Sequence, residues 1–171
     1  MAGNAQLALV AGKGFNGWLI RTVQTLAGEP PEAAKFTHIL LAESPDVVIS
    51  CEPTGVKRMP VSAFPDAVWS HFKLTQWQQD QITEYAGDQV GKPYDRLGYI
   101  WAGIAILLKM KPDQSPPHFI ERRLAQHKSW ICSQLCDAAY SRARIHFFKG
   151  RLNGAIVPAS FAPIWEANGW L

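Results

Sequence analysis

The stretch Phe36-Thr37-His38-Ile39-Leu40-Leu41-Ala42-Glu43-Ser44-Pro45-Asp46-Val47-Val48-Ile49-Ser50-Cys51 decides how this chain folds. Residues 36–42 and 46–51 are two short, strongly apolar runs that read as strands. Between them Glu43-Ser44-Pro45-Asp46 is a turn signal, so the two runs are expected to form a hairpin.

Working outward, Gln6 to Ala11 reads as a short strand, broken by Gly12-Lys13-Gly14. Apolar residues at 15, 18, 19, 20, 23 and 26 have helical spacing, and Gly28-Glu29-Pro30-Pro31 ends that helix. Beyond the hairpin, Gly55 to Pro60 and Phe72 to Leu74 are candidate strands. Thr75 to Val90 is a helix, with Thr75 as N-cap, Gln78 completing a capping box, and Gly91 and Pro93 as stops. Leu97 to Met110 is apolar all round, a buried helix or a lid, and Lys111 to Pro117 is a Pro-rich loop. Ser129 to Arg144 is the last strong helix, and Leu152 to Pro158 leads into a final strand or turn. Strands and helices are mixed along the chain, and the expected class is α+β.

The 171 residues fit one domain. A hydrophobic fraction of 47% with 18% charged residues excludes a disordered chain. The net charge of +3 is uneven: residues 109–151 carry nine Lys/Arg against three Asp/Glu. A basic half favours an anionic surface such as cell wall, a lipid headgroup or nucleic acid. No recognition-helix or zinc-finger pattern supports the last, so no nucleic-acid partner is expected. No secretory signal is visible in residues 1–10. The longest uncharged apolar run, Leu97 to Leu108, is about half a membrane span. The expectation is a chain without a transmembrane span that touches a membrane peripherally at most. The three cysteines make no disulfide framework and suit a reducing compartment.

Cys132, in Trp130-Ile131-Cys132-Ser133-Gln134-Leu135, falls in the first turn of its helix. Unpaired N–H groups and the helix dipole there favour a thiolate, and the same groups can hold an oxyanion. The alternative is a buried small hydrophobe. His38 stands mid-strand between Phe36 and Leu40 of its own face, where a polar residue needs a partner. His118, His127 and His146 fall in loops or at helix ends. Glu52 ends the strand paired with that of His38, so the hairpin can bring its carboxylate to the imidazole as the orienting third group. A metal site of Cys51, Cys132 and Cys136 with a His is a rival, but its C-x-x-x-C spacing is unlike a zinc knuckle.

These pieces resemble the circularly permuted papain-like amidases of the YaeF/YiiX type, a branch of the NlpC/P60 superfamily with LRAT-like members. Phe36-Thr37-His38-Ile39 looks like the family's Ser/Thr-His strand. Glu52-Pro53-Thr54-Gly55-Val56 looks like its Glu-x-x-Gly-Val, and Gly91-Lys92-Pro93-Tyr94-Asp95 like its Gly-x-x-Tyr-Asp. Cys132-Ser133-Gln134-Leu135 looks like its Cys-Ser-Glu-Leu, with Gln134 in place of Glu. The order, His before Glu before Cys, is the permuted one. The resemblance implies a small antiparallel sheet or barrel packed against helices, with residues 97–117 as an insertion. It implies Cys132 as nucleophile, His38 as base and then acid, and Glu52 as orienter. Tyr94, Trp130 and Ser133 are implied around the substrate, and no metal or organic cofactor is needed. The substrates implied are a bacterial cell-wall peptide amide or a lipid acyl bond. The chain is then expected to be cytoplasmic, or delivered to the cell envelope by a phage particle or secretion machinery. A non-catalytic binding or assembly module on the same fold is the other class of reading.

Overall fold

A computed structural model describes residues 3–26, 28–94, 131–148 and 156–171. Five strands run β1 (Leu7–Ala11), β2 (Phe36–Ala42), β3 (Val47–Glu52), β4 (Gly55–Pro60) and β5 (Val68–Trp69). They make one antiparallel open sheet in the order β4-β3-β2-β1-β5, so of the two expected forms, sheet or barrel, the chain adopts the open sheet. The helices are α1 (Gly14–Leu26), α2 (Pro31–Ala34), α3 (Gln76–Gly87), α4 (Cys132–Arg142) and α5 (Ala162–Ala167). The α+β class expected from the sequence holds.

Side chains alternate across the sheet, and this divides the core in two. On one face Leu7, Leu9, Ile39, Leu41 and Ile49 pack with Ile82 of α3, Leu135 and Tyr140 of α4 and Trp165 of α5. On the other, Ala8, Leu40 and Val48 meet Phe64 and Trp69 from the segment between β4 and the end of β5. Helix α4 packs against α3, β2 and β3, and seven of its eleven residues are buried, which makes it the central helix.

The hairpin of β2 and β3 forms where expected. Its turn is closed by Glu43 N–H and Ser44 N–H donating to Val47 C=O, at 2.9 and 3.1 Å, while Ser44 Oγ accepts from Val47 N–H. The capping box at α3 is also present, with Thr75 Oγ1 accepting from Gln78 N–H and Thr75 N–H donating to the Gln78 side chain.

One expectation is corrected and two are refined. Phe72 to Leu74 is not a strand; the pairing falls earlier, at Val68–Trp69 against Leu9 and Ala8. The reason lies in Gln6, whose buried amide accepts from Phe72 N–H and donates to Phe72 C=O, taking both backbone groups a ladder would need. Phe72 instead stacks edge-on with Tyr140, Trp165 and Trp170. Pro31 does not merely stop α1; it also opens the short α2, because a proline at a first helical position loses no hydrogen bond. Of the strand or turn expected near Pro158, the described residues show a 3-10 turn, Pro158–Phe161, running into α5, each with a proline in its first turn. Trp165 of α5 is fully buried and donates its Nε1–H to Val68 C=O at 2.9 Å.

The apolar 97–110 stretch, the 111–117 loop, Asp95, His118, His127, Ser129 and Trp130 lie outside the described residues. No described helix is long and apolar enough to cross a membrane.

Candidate active site

The site is built where β2 and β3 part. The two strands pair only at Leu41↔Ile49 and Ala42↔Val48. Continued toward the other end, that register sets His38 across from Glu52 and Leu40 across from Ser50. Into this opening comes the N-terminus of α4. Helix α4 begins at Cys132, with Ile131 as an extended N-cap whose side chain makes no capping bond. The first-turn N–H groups are therefore left for another acceptor.

His38 is aimed by an irregularity just before it. Ala11 pairs with Phe36 and Val10 with His38, so β2 carries one extra residue, Thr37, against β1. Such bulges turn the flanking side chains. Phe36 accordingly falls into the helix-side core rather than onto the face of Leu40, which simple alternation predicts. Thr37 Oγ1 accepts from Gly12 N–H at 2.8 Å. A Cβ on Gly12 would run into that same Oγ1, and one on Gly17 would meet the Gly12 carbonyl carbon and oxygen. The two glycines thus let the β1–α1 turn close on the bulge.

Glu52 is held by the tight turn between β3 and β4, where Glu52 pairs with Gly55. Gly55 has φ +117°, and a Cβ there would stand 2.8 Å from Lys92 C=O. Val56 N–H donates to that carbonyl and Val56 C=O accepts from Gly91 N–H, both at 2.9 Å. The Glu-x-x-Gly-Val and Gly-x-x-Tyr-Asp segments, 35 residues or more apart in the chain, therefore meet through their backbones.

The geometry brings Cys132, His38 and Glu52 together. His38 acts electrostatically on Cys132 and on Glu52, and each of them acts on it. Its Nε2 lies 3.6 Å from Glu52 Oε1 and 2.8 Å from Ser50 Oγ, and Ser50 Oγ donates to Glu52 Oε1 at 2.6 Å. With Nε2 so occupied, Nδ1 is the nitrogen left for Cys132. Phe64 lies against the imidazole, ring centres 6.4 Å apart.

Electrostatics separates the three thiols. Burial alone would raise Cys132. The charge of His38, the hydrogen bond to it and the N–H groups of Ile39 and Ser133 outweigh that and bring the thiol below its ordinary range. Cys51 and Cys136 are pushed well up, first by burial and then by the nearby charge of Cys132. For His38, burial works against the imidazolium. The thiolate and Glu52, by charge and hydrogen bond, prevail and raise it to about 10. Glu52 drops to about 2, chiefly through the nearby His38, against burial and with help from Ser50 and Lys57. All three shifts favour the charged forms: a thiolate at Cys132, an imidazolium at His38 and a carboxylate at Glu52.

Ser133 contributes its N–H to the sulfur, while its fully buried hydroxyl donates to Ile156 C=O at 2.6 Å and so anchors α4. Tyr94 is half-buried against the core cluster that contains Cys132. His71 and His146 lie elsewhere, beside Trp170 and Ser141. Sequence reasoning missed Ser50 and the Ile39 N–H. The signal for Ser50 was its place two residues before Glu52, on the same strand face. Among the described residues no group of three or more His, Cys, Asp or Glu could hold a metal ion. Comparison with protein-family models and with curated proteins finds no match, so the reading of the site rests on its own geometry.

Proposed function

We propose that this protein is a cysteine hydrolase that cleaves an amide bond through Cys132, His38 and Glu52. The observation that carries the reading is the lowered, His38-bonded thiol at an uncapped helix start, in a chain whose other two thiols are raised. A thiol ionised below its ordinary range while buried is the mark of a nucleophile.

In the mechanism, the Cys132 thiolate adds to the carbonyl carbon, forming the S–C bond and an oxyanion that helix-start N–H groups stabilise. As the oxyanion collapses, the C–N bond breaks and the leaving amine takes the Nδ1 proton of His38. Water then attacks the acyl-enzyme. His38, now neutral, removes its proton, and the acid is released with the thiolate–imidazolium pair restored. Glu52 stabilises the imidazolium throughout.

The substrate we favour is a bacterial cell-wall peptide, with delivery by a phage particle or a secretion apparatus. A lipid acyl bond, hydrolysed or transferred, is the second reading, favoured by α1. Trp18, Leu19 and Leu26 are 59%, 40% and 58% exposed and share a sector of about 100° on that helix, a face suited to a bilayer interface. Incubation with purified peptidoglycan and with phospholipid vesicles, read by mass spectrometry against Cys132→Ser, separates the two. Release of peptide fragments supports the first and acyl transfer or fatty-acid release the second. Cleavage of neither, together with a Cys132 no more reactive than Cys51, leaves a binding module on the same fold.

A further inference from the structure

The imidazole of His38 does not meet the Glu52 carboxylate head on. Its nearest partner on that side is Ser50 Oγ, at 2.8 Å, whereas Glu52 Oε1 stands 3.6 Å away. Ser50 Oγ in turn lies 2.6 Å from that Oε1. A serine hydroxyl has one proton to donate, and an ionised carboxylate can only accept. The proton between Ser50 and Glu52 is therefore the serine's. Toward His38 the hydroxyl has only lone pairs left, and the ring must present a proton at Nε2.

We propose that Ser50 is a positioning residue that locks the Nε2 proton of His38 and relays the Glu52 charge to the ring. This rests on the reading of Cys132 and His38 as a catalytic pair. Its consequence is directional. When the imidazolium gives up a proton, the one it can release without breaking the Ser50 bond is on Nδ1, the side of Cys132 and the leaving group. Nε2–H stays where it is, and no other proton moves. Ser50 suits the task because it is fully buried, so no solvent competes for its lone pairs. Its backbone is pinned at the centre of β3, opposite Lys57 of β4. The short bond to Glu52 fixes the rotor, which in an exposed serine turns freely.

The test uses the full chain labelled with 15N-histidine, and the variants Ser50→Ala and Ser50→Thr. In the native protein the Nε2–H of His38 is expected as a downfield, slowly exchanging resonance. Ser50→Ala is expected to move it upfield or lose it to exchange, and Ser50→Thr to retain it. Iodoacetamide labelling of Cys132 near pH 6 is expected to slow by about tenfold or more in Ser50→Ala, the loss of a hydrogen bond to a charged group, and to recover in Ser50→Thr. Glu52→Gln should slow labelling in the native background and add little in Ser50→Ala. An unchanged Nε2–H resonance in Ser50→Ala, or an equal effect of Glu52→Gln in both backgrounds, overturns the relay. Slow labelling of the native protein counts instead against the hydrolase reading, and the Nε2 resonance still decides on Ser50.

Discussion

The backbone N–H of Ile39 acts on the thiol of Cys132 and helps to lower it. One strand thus serves the thiolate twice, through the side chain of His38 and the amide of the next residue. It can do so because β2 has released β3 at this end of the hairpin and has a free edge to offer. In the proposed hydrolase, nucleophile activation would in this way be tied to the separation of two strands.

The first prediction concerns selectivity among the thiols. Near pH 6 an ordinary thiol is roughly 0.3% ionised. Cys132, lowered by His38 and two N–H groups, is expected to react with iodoacetamide at least about tenfold faster than Cys51 or Cys136, which are raised. Peptide mapping after timed labelling measures it. His38→Ala is expected to abolish the fast reaction and lower hydrolysis by about 100-fold or more. Equal labelling of all three cysteines would remove the activated thiolate.

Glu52→Gln is expected to reduce hydrolysis by about 10- to 100-fold and to shift the alkaline limb of the pH profile toward acid. The His38 pKa of about 10 depends in part on this carboxylate, so its loss lets the imidazolium deprotonate earlier. The stability effect has the opposite pH dependence. Glu52 goes from an ordinary 4.5 to about 2 in the folded chain, so its contribution is whole above pH 4.5 and is lost as pH falls through 2. Urea unfolding at several pH values checks this: the native protein's advantage over Glu52→Gln should be clear at neutral pH and vanish in strong acid.

Gly12→Ala tests the support of His38 from behind. The new methyl group meets Thr37 Oγ1, the acceptor that closes the bulge. A loss of about 1–3 kcal/mol in urea unfolding is expected, the usual effect of overpacking. Slower labelling of Cys132 should accompany it as Thr37 shifts its neighbour. A neutral outcome on both measures would mean that the bulge does not depend on this contact.

Gln6→Ala separates folding from chemistry. Its amide serves Phe72 N–H and C=O and the buried Ser70 hydroxyl, and all three lose their partner. About 2–3 kcal/mol of destabilisation is expected from the unsatisfied groups. The ratio of Cys132 to Cys51 labelling under native conditions should stay as in the parent protein.

What was legible in the sequence was local. Two apolar runs around Glu43-Ser44-Pro45-Asp46 are a hairpin by their own chemistry, and Thr75 with Gln78 marks a helix start without any tertiary help. Cys132 at its helix start and Glu52 at its strand end were visible for the same reason. Ser50 was passed over because its role depends on a spacing across two strands, and a serine inside an apolar strand carries no pattern of its own. The Ile39 amide was hidden more deeply, since every residue but proline has one. Phe72 to Leu74 looked like a strand because propensity does not register that a distant glutamine takes both backbone groups. The closing helix was missed because Pro158 and Pro163 signal a stop as readily as a start.

The start of α4 carries one more implication. Ile131 occupies the position where Ser, Thr, Asp or Asn ordinarily stands, and it lends the helix no cap. An engineer optimising thermostability would flag it first and install a capping side chain. That side chain would claim the N–H groups now turned to the sulfur, and a more robust protein would be a poorer nucleophile. If Cys132 is the nucleophile proposed above, the uncapped end is better regarded as an adaptation than as a defect.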